Sequence, residues 1–416
     1  MTSGALIVGA SQAGVQLAVT LRDLGYADDV TLIGAEPRPP YQRPPLSKAF
    51  LLGNTKEASL AFRTEAFYAD RKIDVVSGDR VQNLTLPGLG GGIATTQAGR
   101  SLRYEHLALT VGARPRRLSV PGADLDGVRY LRDVDDGLRL RRDLAGATRV
   151  VVIGGGYIGL EAAAVTRSLG KTVTVVEAAE RLIARSVAPV VSAFFKQVHE
   201  RRGVTVRVGT GVVSVVGEAG RVAGVELFDG TILHADLVLV GVGAVPRTEL
   251  AEAVGLHCEG GIVVDRFART SHPLVVAAGD CTVMPHPHTG QGRLRLESVQ
   301  NAVSQAKVAA ATLTGRREPY AEVPWFWSDQ YELKLQIAGL SSDYDEYVVR
   351  GDPEDERFSV IYYRQGRLVA IDAVNSTADY LVVRKALTVG ASLPAESARD
   401  VARSLRTLLV PKVVST

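Results

Sequence analysis

The sequence predicts an α/β fold in which one parallel-sheet unit occurs twice and is followed by a smaller C-terminal α+β segment. Three observations predict it. Two glycine-rich loops, Gly9-Ala10-Ser11-Gln12-Ala13-Gly14 and Gly154-Gly155-Gly156-Tyr157-Ile158-Gly159, each follow an apolar strand and open a helix. The segment His106 to Pro115, with Gly112 near its end, is echoed by Asp236 to Pro246, with Gly243 in the same place. Beyond about residue 322 the pattern turns to apolar–polar alternation, the period of an antiparallel sheet with one wet face.

The first unit opens with the strand Ala5-Leu6-Ile7-Val8, a helix over Val15 to Leu24 and a second strand, Thr31-Leu32-Ile33, followed by Ala35 and Glu36. Strand, glycine turn and helix make a Rossmann-like dinucleotide-binding unit. The turn must be tight, the backbone must approach a pyrophosphate, and the helix N-terminus turns its free N–H groups toward the negative charge. Ser11 stands where the fingerprint expects its second glycine, so a Cβ and a hydroxyl must fit beside the phosphates. An ordinary strand-to-helix turn is the alternative for such a loop alone; its duplication argues against that.

The second unit fits the fingerprint fully. Val150 to Ile153 reads as a buried parallel strand, and Leu160 to Leu169 as a helix ending at Gly170. The next strand, Thr172 to Val176, ends in Glu177, roughly 20 residues past the loop, where an acid hydrogen-bonds an adenosine ribose 2′-OH. A carboxylate there repels a 2′-phosphate and favours NADH over NADPH. Arg181 and Arg185 lie close enough to weaken that preference; solvated helix charges are their alternative role. In the two echoed segments glycine lets the closing strand approach the cofactor and proline marks the exit from the domain.

The C-terminal segment alternates in Leu333 to Ile337, Phe358 to Tyr363 and Arg367 to Ile371, with Gln365-Gly366 as a turn, and ends in amphipathic helices around Tyr380 to Thr388 and Ala395 to Leu408. At 416 residues, with 42 glycines and 46% hydrophobic residues, the chain has room for two to three packed domains. No apolar run approaches the roughly 18 residues of a membrane span. The start, Met1-Thr2-Ser3-Gly4, carries no basic and apolar leader, which leads us to expect a cytoplasmic protein. Arg139-Leu140-Arg141-Arg142, flanked by Asp135, Asp136 and Asp143, reads as a solvated helix face rather than a nucleic-acid site. Cys258 and Cys281, the only cysteines, form no CxxC pair, and His286 and His288 show no metal spacing, so no metal is expected.

Five segments in order carry a family resemblance: Tyr41 to Lys48 (YQRPPLSK), Gly154 to Glu161, Ala278-Gly279-Asp280-Cys281, Glu297 to Asn301 (ESVQN) and Pro324 to Tyr331 (PWFWSDQY). The chain resembles the FAD-dependent, NADH-using ferredoxin reductases of bacterial oxygenase systems, essentially end to end. The resemblance implies a glutathione-reductase-like architecture: a discontinuous FAD domain (1–113 and 247–321), an NAD domain (114–246) and a C-terminal α+β interface domain (322–416). By the same analogy, Asp280 accepts hydrogen bonds from the ribityl hydroxyls, a helix N-cap being its alternative role. Lys48 lies at the flavin N5 edge and pairs with Glu161, and Trp327 places its indole near the isoalloxazine unless it only packs with Trp325 and Phe326. Arg43, Arg132, Val81 and Val299 contact FAD, with core packing an equal alternative for the two valines. Glu36 is the candidate for the FAD ribose; relatives often carry the acid one position earlier, at Ala35 here, so side chain and backbone both remain open as the contact.

The resemblance implies electron flow from NADH through FAD to a 2Fe-2S ferredoxin, and on to a haem monooxygenase or ring-hydroxylating dioxygenase. The formal charge of +3 would steer an acidic ferredoxin, with Lys334, Arg293, Arg295 and Arg63 as candidate contacts to it, a dispersed charge on an ordinary surface being the equal alternative, and the protein itself is expected to be a monomer or weak homodimer. Two rivals share both loops. A disulfide reductase or NADH oxidase needs a reactive cysteine beside the flavin, and Arg43 to Lys48 contains none. A flavoprotein resembling apoptosis-inducing factor would act through partner binding and would call for denser basic runs.

Overall fold

The computed structural model describes residues 4–88, 90–287 and 292–411. The chain divides into two compact units. The first comprises residues up to Gln42, Ala58–Arg114 and Val245–Pro324; the second comprises Arg43–Glu57, Pro115–Ala244 and the chain from Trp325 onward.

The first unit is built on a five-stranded parallel sheet in the order Val275–Ala277, His106–Leu109, Ala5–Val8, Val30–Gly34, Ile73–Ser77. Ala5–Val8 is buried along its whole length, as a strand covered on both faces must be. One face packs the helix Gln12–Asp23 against Val299–Leu313 through Leu17, Ala18, Leu21, Ala306, Ala309 and Ala310. Small residues on the second helix let the first approach closely. Beside the sheet lies a three-stranded antiparallel sheet, Val81–Leu84, Gly92–Thr96 and Ser101–Tyr104.

The second unit repeats the design. Its parallel sheet runs Val204–Arg207, Thr172–Val176, Arg149–Ile153, Leu237–Val240, Val128–Arg129, and Val212–Glu218, Arg221–Leu227 and Ile232–His234 form a second three-stranded antiparallel sheet. In each parallel sheet the strand before the glycine loop is central, with its successors on one side and a later strand on the other. The loop therefore sits at the switch point, where open α/β sheets bind ligands.

The second unit also holds a five-stranded antiparallel sheet, Trp325–Gln330, Leu333–Gly339, Arg367–Val374, Arg357–Arg364 and Glu346–Asp352 in spatial order. Gln365 and Gly366 turn between two of its strands with φ of 50° and 70°, the doubly left-handed backbone of a tight hairpin. The helix Thr377–Val389 covers one face. The expected helix over Ala395 to Leu408 is instead two short ones, Ala395–Ala398 and Leu405–Leu408. The intervening backbone is held by the buried Arg350, whose guanidinium donates to the carbonyls of Ala398, Asp400 and Arg403 and pairs with Asp379.

Asp372 is fully buried in this sheet and accepts from the Tyr362 hydroxyl, which in turn accepts from the Ala188 N–H at 2.9 Å. Burial pushes the Asp372 carboxyl up from 3.8 to about 7, against the lowering effect of its hydrogen bonds. A raised folded-state value means the native state holds a proton that the unfolded chain has released. The stability this contributes is complete below about pH 4 and is lost as pH rises through about 7. Chemical denaturation of Asp372→Asn should therefore show a shallower decline between pH 4 and 7 than the parent. Parallel profiles would mean that Asp372 does not titrate in that window.

Candidate functional site

Each glycine loop is shaped by close backbone packing. Gly9 has φ of 118°, and a Cβ on it would stand 2.3 Å from the Thr110 carbonyl oxygen; one on Gly14 would stand 2.0 Å from that of Gly9. The second loop repeats this: Gly154 has φ of 110° with the Gly241 oxygen at 2.4 Å, and Gly159 meets the Gly154 oxygen at 2.1 Å. At Gly156 a Cβ would meet nothing within 4 Å. Packing thus dictates glycine at both ends of the second loop but leaves open space at its middle, where the fingerprint puts the phosphates. Ser11 holds the corresponding N-cap place in the first loop, and neither Ser11 nor Gly156 caps its helix with a side-chain hydrogen bond. The first-turn N–H groups are left to an anion, so both loops fit a pyrophosphate.

In the first unit, the Thr110 hydroxyl donates to the carbonyls of Gly9, at 2.8 Å, and Val8, at 3.1 Å, bolting the loop to the closing strand that leads to Gly112. Ala35 and Glu36 come directly after the neighbouring strand; Ala35 is exposed, and the Glu36 carboxylate accepts from the Tyr41 hydroxyl. Asp280 lies in a turn after the strand Val275–Ala277. The next element is another strand, Thr282–Pro285, so Asp280 caps no helix. Gly279 next to it faces Ala13, whose Cβ would be 3.3 Å from one placed on Gly279, so the turn carrying Asp280 is seated at the loop. Buried Gln305 fixes that turn by accepting from the Gly279 N–H and the Thr282 hydroxyl, both at 2.8 Å. Val81 is 6% exposed in the core with Leu6, Val8 and Ile33, and Val299 is half-buried at the start of its helix. His286 directly follows the strand Thr282–Pro285, and His288 lies outside the described residues. Among the described residues no cluster could hold a metal.

In the second unit, Glu177 turns back onto its loop. Its carboxylate accepts from the Gly155 N–H at 2.6 Å and the Ala179 N–H at 2.8 Å, leaving lone pairs for a further donor. Arg181 is not a solvated helix charge: its guanidinium donates to the carbonyls of Val187 and Ala184 and to the Ser192 hydroxyl. Those donors are spent, while Arg185 remains exposed, 3.9 Å from a Cβ placed on Gly243. Tyr157 packs its ring 4.6 Å from Phe326, and Ile158 beside it is exposed. The Arg43 guanidinium donates to the Arg132 carbonyl at 2.8 Å, so these two candidates meet. Arg141, expected on a solvated face, instead stacks 5.3 Å over Phe50.

Lys48, Glu161 and Trp327 form one cluster. Lys48 Nζ is 3.1 Å from Glu161 Oε1, 3.8 Å from Asp329 and 5.7 Å from the centre of the Trp327 ring. Glu161 is 5% exposed and accepts two further hydrogen bonds, from Ser47 Oγ at 2.6 Å and Ser328 Oγ at 2.7 Å. A buried carboxylate with three donors around it is a fixed anion, and it tethers the lysine. The two serines were hidden in the sequence, although both lie inside segments that carry the resemblance. Neither cysteine belongs to this cluster: Cys258 and Cys281 are free and lie in the first unit, and burial pushes both thiols up, that of Cys281 to about 12.

The family model described as pyridine nucleotide-disulphide oxidoreductase matches residues 4–306, and that described as reductase C-terminal matches residues 325–409. The chain is similar to rhodocoxin reductase of Rhodococcus erythropolis, 44% identical over 395 residues, 95% of this chain and 92% of that protein. It is similar to the crystal structure of the ferredoxin reductase for the CYP199A2 system from Rhodopseudomonas palustris, with a TM-score of 0.94 and 43% identity over 97% of this chain and 99% of that one. The putidaredoxin reductase of a covalent putidaredoxin reductase–putidaredoxin complex superposes with a TM-score of 0.92 at 38% identity, covering 98% of both chains. The chain therefore belongs to the pyridine nucleotide-disulphide oxidoreductase family, among its ferredoxin reductases that use FAD and NAD(P)H.

Proposed function

We propose that this protein carries electrons from NADH through FAD to a 2Fe-2S ferredoxin that serves a haem monooxygenase or a ring-hydroxylating dioxygenase, in the cytoplasm and as a monomer or weak homodimer. The observation that carries the reading is the Lys48–Glu161–Trp327 cluster, which holds an ordered cation and an indole but no thiol. A disulfide reductase hands electrons to a cysteine pair, and the two cysteines of this chain are separate, with burial holding the proton on each. FAD, when bound, takes two electrons from NADH as one hydride and releases them singly, as a one-electron cluster requires.

The residues' share of the work is positioning. Gly9, Ser11, Ala13, Gly14, Glu36, Gly112 and Asp280 would hold FAD, with Val81 and Val299 lining it. Arg43, Arg132, Lys48 and Trp327 are the other residues proposed to contact FAD. Gly154, Gly156, Tyr157, Ile158, Gly159, Glu177 and Gly243 would hold NADH. Lys48, kept in place by Glu161, would set positive charge beside the flavin and favour its reduced, anionic form. Of the cations suggested for docking an acidic ferredoxin, Arg293 and Arg295 are already paired with Glu259 and Glu297, and Arg63 stacks over Phe67, which leaves Lys334 as the best candidate.

Nucleotide choice tests the assignment of the second loop. The flavin-loaded protein should be bleached by NADH much faster than by NADPH. Glu177→Ala should narrow that ratio by roughly tenfold, the worth of a hydrogen bond to a charged group. An unchanged ratio would remove Glu177 from nucleotide recognition.

A further inference from the structure

Glu161 is the inner end of a longer file of side chains. Ser328 Oγ lies 2.7 Å from Glu161 Oε1, Gln330 Nε2 lies 3.3 Å from Ser328 Oγ, and His199 Nε2 lies 2.9 Å from Gln330 Oε1. The Tyr331 hydroxyl is 3.4 Å from His199 Nδ1, and the Arg202 guanidinium stands 4.8 Å over the Tyr331 ring. Ser328, Gln330 and His199 are 0%, 1% and 0% exposed, so water does not substitute for any of these bonds. The file joins the helix Pro189–Arg201 to the strand Trp325–Gln330 and reaches the lysine pair.

Its direction comes from counting protons. Glu161, facing the Lys48 ammonium, accepts. Ser328 has one hydroxyl proton and gives it to Glu161, so its oxygen must accept from Gln330. The amide of Gln330 therefore turns its nitrogen to Ser328 and its oxygen to His199. An amide oxygen only accepts, so His199 carries its proton on Nε2, and its bare Nδ1 accepts from Tyr331. Every donor points toward Glu161. Burial pulls the His199 imidazole down to about 4, which keeps it in this neutral form at working pH.

We infer that Ser328, Gln330 and His199 are positioning residues for the reductase: a one-directional file of buried donors that fixes the Glu161 carboxylate and, through it, the place of Lys48. The inference rests on the reading of Lys48 as the flavin-edge cation. A buried carboxylate held only by a flexible lysine could swing toward solvent; one locked by Ser47 on one oxygen and by the file on the other cannot. Cooperative polarisation along such a file strengthens its last bond.

Two readouts test the inference. In the 15N-histidine-labelled holoprotein, His199 should show the neutral Nε2–H tautomer, and Gln330→Met should mix the tautomers; an Nδ1–H tautomer in the parent overturns the file. In rapid-mixing experiments Ser328→Ala should slow flavin bleaching at saturating NADH by about tenfold and lower the flavin midpoint potential, with KM for NADH unchanged. Ser328→Thr, which keeps the hydroxyl, should restore both. Unchanged rate and potential in Ser328→Ala and Gln330→Met, in a protein where Lys48→Met alters both, also overturn it. If Lys48→Met alters neither, the reading of Lys48 fails instead. The file then stands or falls on the His199 tautomer, which requires no flavin chemistry.

Discussion

Glu161→Ala is expected to cost about 3–5 kcal/mol of stability in chemical denaturation, the usual penalty for breaking one side of a buried ion pair. The reason is local. Removing the carboxylate leaves the Lys48 ammonium with Asp329 alone, at 3.8 Å and 41% exposed, and strips the Ser47 and Ser328 hydroxyls of their acceptor. Glu161→Gln separates stability from function, because its amide oxygen still accepts while its charge is gone. We expect that variant to fold and bind FAD but to be bleached by NADH about a hundredfold more slowly, on the scale of losing one preorganised electrostatic partner. A Glu161→Gln protein reduced at the parental rate would detach the pair from hydride transfer.

The second large effect separates glycines that serve the fold from one that serves the ligand. Gly159→Ala forces a Cβ to within 2.1 Å of the Gly154 oxygen, in a loop whose other end already sits against Gly241. Overpacking of this kind should cost about 3 kcal/mol or more and abolish NADH binding. Gly156→Ala meets no protein atom within 4 Å, and the backbone there, with φ of −82°, suits alanine. Its stability should stay within about 0.5 kcal/mol of the parent while KM for NADH rises at least tenfold. If Gly156→Ala leaves KM untouched, the pyrophosphate does not lie where the loop's shape implies.

The parallel sheets were legible because their signals are local. Ala5–Val8 is a continuous apolar run that ends in a glycine turn, Thr172–Val176 is a β-branched run that ends at Glu177, and both appear as strands with those bounds. The C-terminal sheet was legible from alternation, and Gln365-Gly366 from its turn chemistry. The break between Ala398 and Leu405 was not, because it depends on Arg350, which reaches it from a strand about fifty residues earlier. The site divides along the same line. The loops and Glu177 could be named from motifs and the Lys48–Glu161 pair from the family resemblance, whereas Thr110, Gln305, Ser47, Gln330 and His199 act through partners far away in sequence. Arg181 shows the converse, since a cation near a nucleotide loop looks free in sequence until its carbonyl partners, Val187 and Ala184, are seen.

Electrons enter the proposed reductase as a hydride and leave it singly to an iron–sulfur partner. Anaerobic titration of the flavin-loaded protein with NADH in the presence of oxidised 2Fe-2S ferredoxin tests this route most directly. Two ferredoxins should be reduced per NADH consumed, at a rate that falls with salt where charge steers the encounter. The route is contradicted if NADH bleaches the flavin but the reduced protein passes electrons only to oxygen, artificial acceptors or a disulfide, leaving the ferredoxin oxidised.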